Sequence, residues 1–229
     1  MINKINYFFI FLILILPITF ITGPAIPDLT ITFGGIFFLL YIYLDQSYKK
    51  ILENNLVKFS ILFWFFLLFI SFFAENFPLA IKNSLIFIRL LFIPIFLFYC
   101  IFINKNYLKI CVGFVFLSVI FVCLDSIYQF LNYDPEFGFG RDIFGFVPNW
   151  YGRLTGPFYQ ELIPGAYVSK FSLIGLVFLF LVIKSKINQN IASVFYLTLV
   201  GIITYVSGER MAFATFLLGI FFLIIFYRN

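Results

Sequence analysis

Ile191-Ala-Ser-Val-Phe-Tyr-Leu-Thr-Leu-Val-Gly-Ile-Ile-Thr-Tyr-Val206, then Ser207-Gly208-Glu209-Arg210, then Met211-Ala-Phe-Ala-Thr-Phe-Leu-Leu-Gly-Ile-Phe-Phe-Leu-Ile-Ile-Phe-Tyr227, is the stretch that decides how this chain folds. Two apolar runs of near membrane-crossing length flank four residues that include an acid and a base. So short a connection holds Glu209 and Arg210 at the boundary of the hydrocarbon. Ionisable groups in that setting pair with something specific and mark functional sites. The competing reading is a solvated turn that caps the following helix.

Composition places the whole chain in the same setting. Of 229 residues, 63% are hydrophobic and 11% charged, and the mean hydropathy is +1.09. A water-soluble domain of this length cannot cover so much apolar material, whereas long runs with few charges are membrane helices. The net charge of +5 is scattered, with no basic block, which excludes a nucleic-acid-binding role. Cys100, Cys111 and Cys123 lie in or beside apolar runs without metal-ligand spacing, and read as small buried hydrophobes. Histidine is absent, so the commonest general base and metal ligand are both missing. The apolar run 7–21 is followed by a poor small-residue cleavage site and by further spans, and reads as an uncleaved first span.

Eight apolar segments are expected to cross the membrane, over about 6–22, 29–44, 57–74, 80–103, 108–131, 162–183, 191–206 and 211–227. The organisation is therefore five helices in 1–131, one longer loop in 132–161 and three helices in 162–229. Pro17 and Pro94 fall inside spans and are expected to kink them. With the N-terminus cytoplasmic, the inner junctions hold Lys4, Lys49, Lys50, Lys58, Lys105, Lys109, Lys184, Lys186 and Arg228. The outer side holds Lys82, Arg89, Arg141, Arg153, Lys170 and Arg210. The simple short junctions follow the positive-inside rule. The outer set differs in kind: Arg89 and Lys170 lie within spans, Arg210 at a boundary, and Arg141 and Arg153 in the long loop. This topology gathers the unusual charges on one face of the membrane.

Lys82 and Arg89 are seven residues apart, close to two helical turns, and so face the same way. A bare Arg at the bilayer centre costs about 3 kcal/mol on insertion scales, so Arg89 snorkels, pairs or lines a wet cavity. Ser118, Asp125, Gln129 and Asn132 form one polar stripe on the fifth span. Asp125 is the expected partner for an intramembrane Arg, and the stripe also suits a structural hydrogen-bond network between helices. In the long loop, Trp150 and Tyr151 can stack on sugar faces or anchor in the headgroup layer. Arg141 and Arg153 present planar charged forks suited to phosphate. Glu161 opens the sixth span, where Gly165, Ser169 and Ser172 share its face. Lys170 lies on roughly the opposite side, either buried or at a water-accessible recess.

Two stretches, Arg153-Leu-Thr-Gly-Pro-Phe-Tyr-Gln-Glu161-Leu-Ile-Pro-Gly165-Ala-Tyr-Val-Ser-Lys170 and Ser207-Gly-Glu-Arg210, resemble the bacterial O-antigen ligase/polymerase type of membrane protein, and Asp125-Ser-Ile-Tyr-Gln129 fits the same pattern. The resemblance covers roughly the second half of the chain. It implies an all-α polytopic fold of the GT-C kind in the bacterial inner membrane. The implied partner is a saccharide on undecaprenyl pyrophosphate, transferred in the periplasmic leaflet to a lipid or glycan acceptor. No metal, nucleotide sugar or other cofactor is implied, because the lipid pyrophosphate is already an activated leaving group. By matching position, Arg153 and Arg210 clamp the pyrophosphate, with Lys170 and Arg89 in support and Asp125 and Gln129 as supporting residues.

The chain departs from that family in having no histidine and in ending where a larger loop is expected, which reads as a truncated or split form. A catalytic group is therefore not identified; Glu161 and Glu209 are the candidates to replace the missing base. Two other readings stand beside the transferase: a transporter or flippase of an anionic lipid, and a non-catalytic membrane subunit or remnant.

Overall fold

The computed structural model describes residues 2–23, 25–45, 48–96, 105–136 and 138–227. Among them are nine α-helices and one 3-10 turn, with no strand. The helices are α1 (Ile2–Thr19), α2 (Ala25–Asp45), α3 (Tyr48–Glu53), α4 (Asn55–Ser71), α5 (Phe77–Phe96), α6 (Lys105–Leu131), α7 (Pro164–Val182), α8 (Lys186–Val206) and α9 (Arg210–Tyr227). Eight correspond to the eight apolar segments; α3 is a single short helix that the apolar pattern does not mark. Cys100 and the end of the expected span 80–103 lie outside the described residues.

Among the described residues, four stretches are long and apolar enough to cross a membrane: Ala25–Leu44, Tyr107–Leu131, Pro164–Val182 and Lys186–Val206. Asn55–Ser71 and Arg210–Ile225 are apolar but shorter. At 17 residues α4 extends about 26 Å, just under the ~30 Å hydrocarbon layer. The exterior is apolar as well: Phe59 is 68%, Phe69 61% and Phe195 72% exposed. Such a surface is stable in lipid, whereas in water it would associate. These are the features of a multi-pass membrane protein.

Local chemistry sets the helix ends. Asn54 caps α4, its side chain accepting the Leu56 N–H at 2.8 Å. Pro164 is at the start of α7, where its missing N–H would be unpaired anyway. Gly208, at φ +76, ends α8 in a left-handed conformation that a side chain would strain.

The chain divides into two compact units, Met1–Thr19 with Pro24–Leu108, and Phe20–Gly23 with Lys109–Asn229. In the first, α1 packs on α2, α4 on α5, and α5 on α2. Trp64 Nε1 donates to the Ser84 carbonyl at 2.9 Å and Ser84 Oγ to the Leu67 carbonyl at 3.3 Å, tying α4 to α5. In the second, α7 packs on α8 and α9. Its core joins Val119, Val122 and Cys123 of α6, Val168 and Leu176 of α7, Val200 and Ile203 of α8, and Phe216 of α9. The Tyr196 hydroxyl reaches the Ser172 carbonyl at 3.1 Å, so the small-residue face predicted on α7 packs against α8.

Candidate functional site

The polar stripe on α6 holds the long loop in place. Gln129 is fully buried. Its Oε1 accepts the Thr155 N–H at 3.0 Å and the Gly156 N–H at 2.9 Å, and its Nε2 donates to Thr155 Oγ1 at 2.9 Å. Its backbone carbonyl accepts the Gly140 N–H at 3.1 Å. One turn earlier, Asp125 Oδ1 accepts the Ile143 N–H at 2.8 Å. Two separated parts of the loop thus dock on one helix end through groups that polar side chains alone can satisfy. Asp142, also buried, closes a turn: its Oδ1 accepts the Phe146 N–H at 2.7 Å. Burial holds the Asp142 carboxyl above the ordinary aspartate range, against the opposing pull of the Phe146, Phe144 and Gly145 amides.

Asp125 does not pair with an intramembrane Arg. Arg89 belongs to the first unit and bonds Asp28 there, Nη2 to Oδ2 at 2.8 Å, with Nη1 reaching Thr32 Oγ1 at 3.3 Å. The reason is register: Asp28 and Thr32 stand one turn apart on α2, which packs on α5. The sequence reading missed Asp28, although its spacing to Thr32 on the second span was a usable signal. Lys82 is exposed on α5. Asp125 Oδ2 and Ser126 Oγ are buried without hydrogen-bond partners, beside Gly156.

The anchored loop delivers Arg153 to the turn between α8 and α9. A Cβ on Gly208 would lie 3.4 Å from Arg153 Cγ and 3.3 Å from the Gly152 carbonyl oxygen. Arg153 is half-buried, and its Nε is buried with no hydrogen-bond partner. The neighbouring carboxylate is engaged elsewhere. Glu209 Oε1 accepts the Gly165 N–H at 2.8 Å and Oε2 the Ala166 N–H at 3.2 Å, so Glu209 caps the start of α7. The Glu209 carbonyl also accepts the Phe213 N–H at 3.1 Å, beginning α9. One residue therefore serves two helix starts. Burial holds the Glu209 carboxyl above the ordinary glutamate range; the Ala166 and Gly165 amides and the charges of Arg153 and Lys170 pull the other way.

This turn is more than the solvated cap that the sequence also allowed, because its acid reaches across to another helix. Gly165 makes that possible: a Cβ there would overlap Ser207 Oγ and lie 3.1 Å from Glu209 Oε1. Arg210 is exposed at the first position of α9, whose first turn has no acidic residue. Lys170 is exposed on α7, with its charge within range of Glu209. Glu161 is exposed in the loop just before α7. The structure brings Arg153, Glu209 and Lys170 together at one end of the second unit and sets Arg210 next to Glu209 in the same turn. Chemically this is a cation-rich surface with one carboxylate removed from competition by backbone amides. The amide partners of Glu209 and Gln129 were invisible to motif reading, since a backbone N–H carries no sequence signature. No protein-family model matches this chain, and neither does any curated protein or solved structure.

Proposed function

We propose that the Arg153, Arg210 and Lys170 surface binds the pyrophosphate of an undecaprenyl-linked saccharide, and that the chain serves transfer of that saccharide to a lipid or glycan acceptor at the periplasmic face of the bacterial inner membrane. In this reading every helix except α3 spans, the shorter α4 and α9 included, the N-terminus is cytoplasmic, and the loop 132–163 and the turn 207–209 are periplasmic. The Lys/Arg distribution along the chain favours that orientation.

The observation that carries the reading is the state of Arg153. Its guanidinium is partly withdrawn from solvent, Nε lacks a partner, and the nearest carboxylate is engaged by Gly165 and Ala166. A buried donor without an acceptor is costly unless a ligand supplies one. The first amides of α9 likewise have no acceptor within the helix and point with the positive end of its dipole, a setting suited to phosphate. Arg153 and Arg210 would bind phosphate oxygens, and their charge would stabilise the negative charge that grows on the departing pyrophosphate. Lys170 adds a point charge one side of Glu209. Arg89 is left to the fold, since Asp28 already neutralises it. Of the two candidate carboxylates, Glu161 is the exposed one and Glu209 is bound by amides, so Glu161 is the better placed to take a proton from an acceptor hydroxyl.

The test is glycan transfer from undecaprenyl pyrophosphate in vesicles, with Arg153→Ala and Arg210→Ala. Both variants should insert normally and lose transfer, and both should lose retention of undecaprenyl pyrophosphate. Wild-type transfer in both variants removes the proposal. Lipid translocation without transfer in the unaltered protein would assign the same surface to a flippase.

A further inference from the structure

Three buried oxygens without partners lie where the long loop docks on the end of α6. Asp125 and Ser126 are fully buried, and Asp142 is 2% exposed. Asp125 Oδ2, Ser126 Oγ and Asp142 Oδ2 make no hydrogen bond. The other oxygen of each carboxylate is engaged, Asp125 Oδ1 by the Ile143 N–H at 2.8 Å and Asp142 Oδ1 by the Phe146 N–H at 2.7 Å. A Cβ on Gly156 would lie 2.9 Å from Ser126 Oγ and 3.7 Å from Asp125 Oδ2, so these two atoms face one point beside a residue that has no side chain. Asp142 directly precedes the Ile143 amide that Asp125 holds, and its negative charge bears on Asp125. No lysine or arginine among the described residues forms an ion pair with either acid.

Charges withdrawn from water are paired with opposite charge or bound to a metal. A proton satisfies at most two of these oxygens. A water molecule can donate to two of them, yet it brings no charge to offset two carboxylates. A single cation serves all three. The donors are hard oxygens, and no thiolate or third carboxylate joins them among the described residues, a set that suits neither zinc nor the softer transition metals. Magnesium keeps several waters and fits a buried site poorly, whereas calcium takes carboxylate and other oxygens in flexible geometry. We infer that Asp125, Ser126 and Asp142 form a calcium site that clamps the long loop to the end of α6. Arg141, Ile143 and Phe144 are exposed on either side of Asp142, so an ion has a short way in from the solvent. The role is structural, and the site does not depend on the reading given to the Arg153 surface.

Hydrogen exchange of the full chain in phosphatidylcholine nanodiscs, which offer calcium no anionic lipid, tests the site. Two carboxylates and a hydroxyl place it among weak extracellular-type sites, with a Kd of roughly 0.1–1 mM. At about 10 mM calcium the Ile143 and Phe146 amides should exchange about 10- to 100-fold more slowly than in chelator. Asp125→Asn and Asp142→Asn keep an acceptor for those amides and remove the charge. Both variants should exchange alike with and without calcium, at unchanged circular dichroism, and Ser126→Ala should shrink the effect. Calorimetry with calcium chloride should show one site in the unaltered protein and none in Asp142→Asn. Exchange in the unaltered protein that ignores calcium overturns the site. So does a calcium effect that survives in both asparagine variants, or equal slowing by sodium at matched ionic strength.

Discussion

Gln129→Leu tests whether the α6 stripe holds the loop. The substitution keeps most of the side-chain volume and removes every polar atom. The Thr155 and Gly156 amides then lose their acceptor in a fully buried position. Each stranded buried amide costs about 1–3 kcal/mol, so together they cost roughly 2–6 kcal/mol. The Thr155 hydroxyl can rotate to a new partner and adds little. The helices remain inserted, so the loss appears as local opening of the loop rather than as global unfolding. At about 1.4 kcal/mol per factor of ten, exchange of these two amides should quicken on the order of 10- to 10⁴-fold. Hydrogen exchange of the protein in nanodiscs, read by mass spectrometry over 150–163, measures this directly. Gln129→Glu keeps an acceptor for both amides and should hold their protection above that of the leucine variant. Unchanged exchange in Gln129→Leu would show that water reaches Thr155 and Gly156, and the account of how Arg153 is positioned would fall.

Two further tests address the turn itself. Burial raises the Glu209 carboxyl in the folded protein, so the folded state holds that proton more tightly than the unfolded chain. Stability should therefore fall as pH rises from the ordinary glutamate value of 4.5 through the raised one, and level off above it. Asp142 is raised by burial too and acts with the same sign from its ordinary value of 3.8. Thermal melting in detergent against pH should show this decline, and Glu209→Gln should remove its own share of the slope; an unaltered slope would contradict the assignment. Gly165→Ala places a methyl group against Ser207 Oγ and should cost about 1–3 kcal/mol through forced movement of the turn. Adding Ser207→Gly should recover part of that loss in the same melting assay, and no recovery would mean the strain lies elsewhere.

What the sequence determined is the membrane setting, the helices and the register of polar residues along each one. Apolar run length fixes those directly, because hydrocarbon admits only segments that pair their own backbone. The stripe of Asp125 and Gln129 was legible from helical spacing for the same reason, whereas Lys170, left between a buried site and a wet recess, proved exposed. The partners were not. Asp125 was matched to an intramembrane Arg, yet it accepts the Ile143 amide while Arg89 bonds Asp28. Glu209 was weighed as a replacement base, yet its oxygens hold the Gly165 and Ala166 amides. The apolar cavity lined by α2, α3, α4 and α5 was equally hidden, since it arises from how four helices lean together rather than from any one of them. Spacing along a helix assigns a face; it does not say which neighbouring helix or backbone amide that face meets. Only the packing of α7 on α8 and α9, and of α2 on α5, decided that Asp28 neutralises Arg89 and that backbone amides engage Glu209.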